Sequence, residues 1–306
     1  MNQLTLINNN LSSIVKSYIK EATSQATRKA YRTDLKHFQN WGGSIPSNPN
    51  QITDYLVYHA EILSIATLNR RLSSLSIAHK SLGHETPTKS ELVRVTFRGI
   101  KRKHGTAQRQ VEAIVKEDML LILASIGNTH KDTRDKALLL LGFCTACRRS
   151  ELVALTFEDI EFKRQGLVIT IKRSKTDQTG KGRQVAVPYG RGHICPVKTL
   201  KTWLERAKIT QGFIFPSIAK GGNISIKALS PYSVSLIIKA RTKAVGMNSD
   251  NYSGHSLRAG LATSAASAGV STIQIMNQTG HKSETTLRRY IRTGDLFINN
   301  PVASIF

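Results

Sequence analysis

Acidic residues are scarce in this chain. Twenty Asp and Glu face 44 Lys and Arg across 306 residues, a formal charge of +24. Such a surplus repels itself in a compact protein unless a polyanion neutralises it. Nucleic acid is the first partner to expect, because phosphate contacts release counterions and dominate affinity. An anionic membrane surface is the second, but the basic residues are spread along the chain, without a polybasic tail or lipidation motif. Cysteine is also scarce. Three residues, an odd and low count, suit a reducing compartment, and a cytoplasmic protein is expected. Cys144 and Cys147 form a C-x-x-C, yet no second Cys or His pair stands at ligand spacing, so they read as one face of a buried helix rather than a zinc site. Long apolar runs are missing. The longest, "ALLLLGFCTAC" at 137–147, has 11 residues, too few to span a membrane and right for a buried helix. The start "MNQLTLINNN" lacks a basic segment followed by an apolar one, so no secretory signal is read. No Asp/Glu cluster suggests a Mg²⁺ site, and no metal or other cofactor is expected.

The length allows two domains and a sizeable core. Residues 1–10 read as a flexible N-terminus, and 11–100 as helical throughout. "ATRKAYRTDLKHFQNWGG" (26–43) places Ala30, Leu35 and Phe38 near one face and stops at Gly-Gly. "ITDYLVYHAEIL" (52–63) opens with Thr53 as N-cap. In 64–83, Leu68, Leu72, Leu75 and Ile77 point inward, and Gly83 ends the helix. "KRKHGTAQRQ" (101–110), with four Lys or Arg, is expected to be a basic inter-domain linker. Residues 111–294 then form a second domain. Its "GLVITIKRSK" (166–175) and "RQVAVP" (183–188) alternate with period two, predicting a β-hairpin around "TDQTGKG". Helices are expected from Pro196 onward, including one after Ser271, with Gln274 completing a capping box, that ends at Gly280.

"LRRYIR" (287–292) sets Tyr290 among arginines, and by itself a tyrosine is usually a packing residue. Four other segments change its weight. "TACRRSELVAL" holds Arg148 and Glu151 three apart. Lys175 begins the hairpin loop, with Lys172, Arg173, Lys181 and Arg183 as alternatives nearby. "SGHSLRAGLATSAASAG" holds His255 and Arg258 on one helical face, in an Ala- and Gly-rich stretch that permits close packing. His281 precedes Tyr290 by nine residues. This ordered set resembles the tyrosine recombinase (lambda-integrase-like, phage integrase) family, and its Cre-like branch in particular, over nearly the whole chain. Ala146 stands where the family usually has glycine, and His281 where Cre itself has tryptophan.

The resemblance implies a mainly α fold with a small β-sheet in the catalytic domain. It also implies a SAM-like helical core-binding domain, the two forming a C-shaped clamp on DNA. It implies a site-specific recombinase or integrase that breaks and rejoins DNA through a 3′-phosphotyrosyl link, without metal or ATP. Tyr290 would be the nucleophile and His255 the acceptor of its proton. Arg148, Arg258 and His281 would contact the phosphate, and Lys175 would protonate the leaving 5′-oxygen. A carboxylate beside phosphate repels it, so Glu151 is expected to orient its neighbours. Double-stranded DNA with inverted-repeat sites is the expected partner. A homo-tetramer would form on two sites from a monomer or weak dimer, with room for an accessory protein. With about ten residues before the first domain, no arm-binding domain is expected. The tail 295–306 would dock on a neighbouring protomer. Candidate DNA contacts are Arg28, Arg32, Arg70, Arg71 and Lys80 in the first domain and Tyr232, Lys239 and Arg241 in the second. A type IB topoisomerase and a non-catalytic DNA-binding regulator remain the alternatives.

Overall fold

The computed structural model describes residues 12–107, 110–172, 182–190, 194–285, 287, 288, 290, 302 and 305. The chain divides into two units, Met1–Arg109 and Gln110–Phe306. The first holds α1 (Ser13–Glu21), α2 (Gln25–Asn40), α3 (Pro49–His59), α4 (Ile65–Ser81) and α5 (Glu91–His104). Each helix starts at a short polar residue, Ser12, Ser24, Asn48, Ser64 or Ser90. The oxygen of that side chain accepts the backbone N–H three residues on, satisfying one of the donors a helix start leaves open. The expected cap Thr53 lies instead inside α3, where its hydroxyl donates to the Pro49 carbonyl. Pro49 at the first helical position starts the helix earlier.

Phe38, Ile52, Leu56, Leu68, Leu75, Val93 and Phe97 form the core of this unit. Each large apolar side chain buried there contributes about 1.5–3 kcal/mol. Ile77, expected inside, is exposed. The expected linker is partly helix: residues 101–104 complete α5, which ends at Gly105 with φ 73°.

The second unit contains α6 (Lys116–Ser125), α7 (His130–Thr145), α8 (Arg149–Ala154), β1 (Ile160–Lys163), β2 (Gly166–Ile171), β3 (Arg183–Pro188), α9 (Pro196–Ala207), β4 (Pro216–Ile218), β5 (Ile224–Ala228), α10 (Pro231–Ala244), α11 (Ser256–Ser267) and α12 (Thr272–Thr279). β2 and β3 pair antiparallel as the alternation predicts, with Leu167 opposite Val187 and Ile169 opposite Val185, all buried. β1 adds a third strand in the order β1-β2-β3. The β4–β5 hairpin replaces part of the helix expected after Pro196.

α7 runs through the core, burying Leu138, Leu139 and Leu141. α11 lies against it and against the chain entering the unit. A Cβ at Gly260 would fall 1.8 Å from the Ile114 carbonyl oxygen, so only glycine allows this approach. Among the described residues no helix is long and apolar enough to cross a membrane.

Candidate active site

Arg148 is the N-cap of α8, one residue before the helix, and Glu151 is its third helical residue. One Glu151 oxygen accepts the Arg148 backbone N–H at 3.0 Å, and the other accepts Nη1 of the guanidinium at 2.6 Å. The R-x-x-E spacing is therefore a helix cap and an ion pair at once. Glu151 is buried, and Nη2 of Arg183, on β3, lies 4.0 Å from its other side. Glu151 thus holds Arg148 by two hydrogen bonds and adds a longer ion pair to Arg183.

Arg258 is buried on α11. Its Nη1 donates to the Ala146 carbonyl at 2.8 Å and its Nε to Nε2 of His281 at 3.3 Å. Its Nη2 is buried and, among the described residues, meets no hydrogen-bond acceptor. Burial, and then the charge of Arg148, push its pKa down to about 10. Ala146 aims its carbonyl at Arg258 from a left-handed turn, φ 49°, that closes α7. That conformation suits glycine and costs an alanine about 1–2 kcal/mol, which accounts for the residue the family usually has there.

His255 caps α11, with Nε2 2.6 Å from the Tyr290 hydroxyl. It keeps an exposed edge. Desolvation by the surrounding protein, with the charges of Arg258 and Arg148, holds its pKa below the ordinary value of 6.5. The ring is thus neutral near pH 7 and able to take a proton from Tyr290. Tyr290 stands in a helical stretch whose Leu287 is fully buried against Ala262, Ala266 and Ile275. Residues three apart share a helix face, so this anchor turns Tyr290 toward α11. His281 follows Gly280, the left-handed C-cap of α12, and its ring centroid lies 6.1 Å from that of Tyr290. Burial first, then Arg258 and Arg148, push its pKa down to about 4.

The structure therefore brings Arg148, Glu151, His255, Arg258, His281 and Tyr290 together. Lys175 lies outside the described residues, as do most of the tail 295–306 and residues 1–11. Of the alternatives to Lys175, Lys172 is paired with Asp159 at 2.6 Å, and Arg183 belongs to the Glu151 cluster. Sequence reasoning missed two residues of α12. Gln278 ties the helix to the Cys144 and Ala186 carbonyls and accepts Nη1 of Arg183 on its own carbonyl. Thr279 bonds His281 at 2.7 Å. For Thr279, the only signal was a hydroxyl residue two positions before the histidine.

Several of the expected DNA contacts already have partners within the protein. Arg71 is buried, donating to the Tyr55 hydroxyl. Arg70 forms a two-bond pair with Asp34 at 2.8 and 2.9 Å, leaving the side chain half-exposed. Arg241 pairs at 2.7 Å with both Asp132 and Asp135. Arg28 donates to the carbonyls of Lys20 and Thr23, at the end of α1. Lys239 pairs with Asp250 at 3.0 Å on the surface. Arg32, Lys80 and Tyr232 are exposed.

The model of the phage integrase family matches residues 107–295. An integrase/recombinase XerD homolog of Selenomonas ruminantium is 37% identical over 98% of this chain and 91% of its own length. The Cre recombinase of Escherichia phage P1 is 27% identical over 82% of this chain and 77% of its own. In fold, the chain is similar to XerH recombinase bound to its palindromic difH substrate. The TM-score is 0.70, at 18% identity over 99% of this chain and 87% of that one. It is likewise similar to a lambda integrase dimer bound to a core site, with TM-score 0.64, at 18% identity over 94% and 83%. The catalytic constellation and these relatives agree: the chain belongs to the phage integrase family, the tyrosine recombinases, enzymes of site-specific DNA recombination.

Proposed function

We propose that Tyr290 cuts one DNA strand and holds its 3′ end. The Tyr290 oxygen attacks the scissile phosphorus, a P–O bond to tyrosine forms, and the bond to the 5′-oxygen breaks. Nε2 of His255 takes the phenol proton. Lys175 gives a proton to the departing 5′-oxygen. Arg148 and Arg258 hold the non-bridging oxygens, where charge builds in the transition state, because guanidinium stays charged and donates in pairs. Glu151 fixes Arg148. Attack by another strand's 5′-hydroxyl reverses the step and exchanges strands, and the scheme closes without metal or ATP.

The observation that carries this reading is the 2.6 Å contact between His255 and Tyr290 beside the unmet Nη2 of Arg258. The partner is double-stranded DNA. In support, XerH and lambda integrase are described bound to DNA. The helical unit adds phosphate contacts through Arg32 and Lys80, and Tyr232 adds another from α10. Paired inverted-repeat sites would gather a homo-tetramer, with the tail 295–306 passing between protomers and an accessory protein setting direction.

The test is covalent trapping. Wild type and Tyr290→Phe are incubated with fragmented DNA of the source organism, denatured in detergent, and the protein-linked DNA is sequenced. Linkage by wild type alone, converging on one inverted repeat, is expected. Linkage without sequence preference would point to a topoisomerase. Tight binding with no linkage would point to a regulator.

A further inference from the structure

Several basic side chains of the second unit are already matched by carboxylates. Arg148 and Arg183 share Glu151, Arg241 has Asp132 and Asp135, Lys239 has Asp250, and Lys172 has Asp159. Arg149 stands apart. It follows Arg148 directly, is exposed, and has no carboxylate partner among the described residues. Its side chain is nonetheless held. Nη1 donates at 3.1 Å to the hydroxyl of Ser235, a buried residue of α10. The same hydroxyl accepts the Gly254 backbone N–H at 3.3 Å, so both of its acceptor positions are used. The Arg149 stem lies along Gly254: a Cβ there would fall 3.1 Å from both Cβ and Cδ of the arginine. Gly254 is the residue before His255. The side chain therefore runs from beside Arg148, past the backbone that carries His255, to α10. Tyr232 is exposed and three residues before Ser235, on the same side of that helix.

We propose that Arg149 is a DNA-binding residue that grips a phosphate flanking the scissile one, with Ser235 and Gly254 presenting its guanidinium. A long exposed side chain loses rotamer freedom when it binds. Here one hydrogen bond and a packed stem have removed part of that freedom in advance. The guanidinium is always charged, and its other N–H groups suit phosphate oxygens. No carboxylate has to be displaced first, as it would be for Arg241. Arg149 takes no part in the transfer itself, which falls to Arg148 and Arg258. The inference rests on DNA as the partner, and its main readout is separate from the covalent step.

The test is affinity against salt, measured by fluorescence anisotropy on the full chain. The Tyr290→Phe background serves as parent, so that no covalent step intervenes. Two duplexes are used, the one recovered by trapping and one of unrelated sequence. Each phosphate contact contributes about 0.9 to the slope of log affinity against log salt. Arg149→Met keeps a stem on Gly254 and should lower the slope by about that amount on both duplexes. Arg149→Lys keeps the charge and should return it. Ser235→Ala frees the side chain without removing its charge, so the slope should stand while affinity falls about twofold to tenfold, the cost of immobilising one long side chain. On the recovered duplex, a neutral methylphosphonate at one phosphate flanking the cut should weaken the parent and leave Arg149→Met unaffected. A folded Arg149→Met protein with the parent's slope, and a lowered melting temperature alone, would show a merely structural residue and overturn the proposal. So would an Arg149→Lys slope as low as that of Arg149→Met, flanking methylphosphonates that weaken both proteins equally, or Ser235→Ala with the parent's affinity. The last of these decides even where Arg149→Met fails to fold. If wild type links to no DNA, the recombinase reading fails while the slope on the unrelated duplex still decides this one.

Discussion

Among the described residues are two Tyr–His–Arg clusters, one in each unit, and they are built to opposite ends. In the helical unit the Tyr55 hydroxyl lies 3.1 Å from Nδ1 of His37 and accepts Nη1 of Arg71 at 2.7 Å. In the catalytic unit Tyr290 lies 2.6 Å from Nε2 of His255, beside Arg258. The difference is the counter-charge. Asp34 sits between Arg70 and Arg71 and also accepts from Ser74. Burial by itself would raise the pKa of Asp34, but these bonds and charges hold it below the usual carboxylate value. Tyr55 is fully buried, which raises its pKa and keeps it a phenol. Among the described residues the second cluster has one carboxylate, Glu151, for Arg148, Arg183 and Arg258. Its Tyr290 is only partly buried. The first cluster sets one carboxylate between two guanidiniums and buries its phenol. The second sets one carboxylate against three guanidiniums and leaves its phenol partly accessible, the arrangement the proposed phosphate contact requires.

The sharpest separation comes from the two tyrosines. Tyr290→Phe should abolish covalent linkage and keep DNA binding. Tyr55→Phe should keep linkage and cost about 1 kcal/mol of stability, the net worth of a buried hydrogen bond. Loss of linkage in both variants, with both folded, would erase the distinction. Next is Arg258→Met. It should slow linkage about 10²–10³-fold, as loss of a transition-state donor does. It should also raise the melting temperature, because an undercompensated buried cation is removed. Asp34→Asn should do the reverse. It should lower stability by about 3 kcal/mol, since a buried guanidinium loses its partner, and leave the linkage rate of folded molecules unchanged. Calorimetry and single-turnover trapping on the same two variants check both signs.

The pH dependence is a smaller effect. The working form of His255 is neutral, and its pKa is depressed, so the neutral form persists below pH 6.5. The second-order rate of linkage reports the free enzyme. It should fall with decreasing pH only below 6.5, and a decline beginning above 6.5 contradicts the assignment. Smallest is Ala146→Gly. Relief of the left-handed alanine should raise stability by about 1 kcal/mol, measured by denaturant unfolding.

The legible parts of this fold were those decided within a few residues. Ser271 with Gln274 announces a helix start because cap and amide are three residues apart. The β2–β3 alternation shows because each strand has one buried face. The set of residues that the fold brings around Tyr290 was legible as an ordered pattern, and Arg148–Glu151 even as a local pair, since a helix cap joins them. What stayed hidden depends on partners far along the chain. Arg71 and Arg241 look like any surface charge until the fold brings Asp34 and Asp135 to them. Ile77 fits a helical stripe, yet the fold leaves it exposed. β4 and β5 are short and pair mainly with each other, so no long period marks them. The roles of Thr279 and Gln278 exist only because α12 ends against α7, β3 and Arg258.

The central claim is that Tyr290 itself carries the DNA. The measurement that meets it most directly is mass spectrometry of the protein–DNA link. Wild-type complexes are trapped, digested with nuclease and protease, and the peptide bearing a nucleotide is sequenced. The account predicts one modified residue, Tyr290, joined through a 3′-phosphate. A nucleotide on any other side chain, or a 5′-phosphate link at Tyr290, would contradict it.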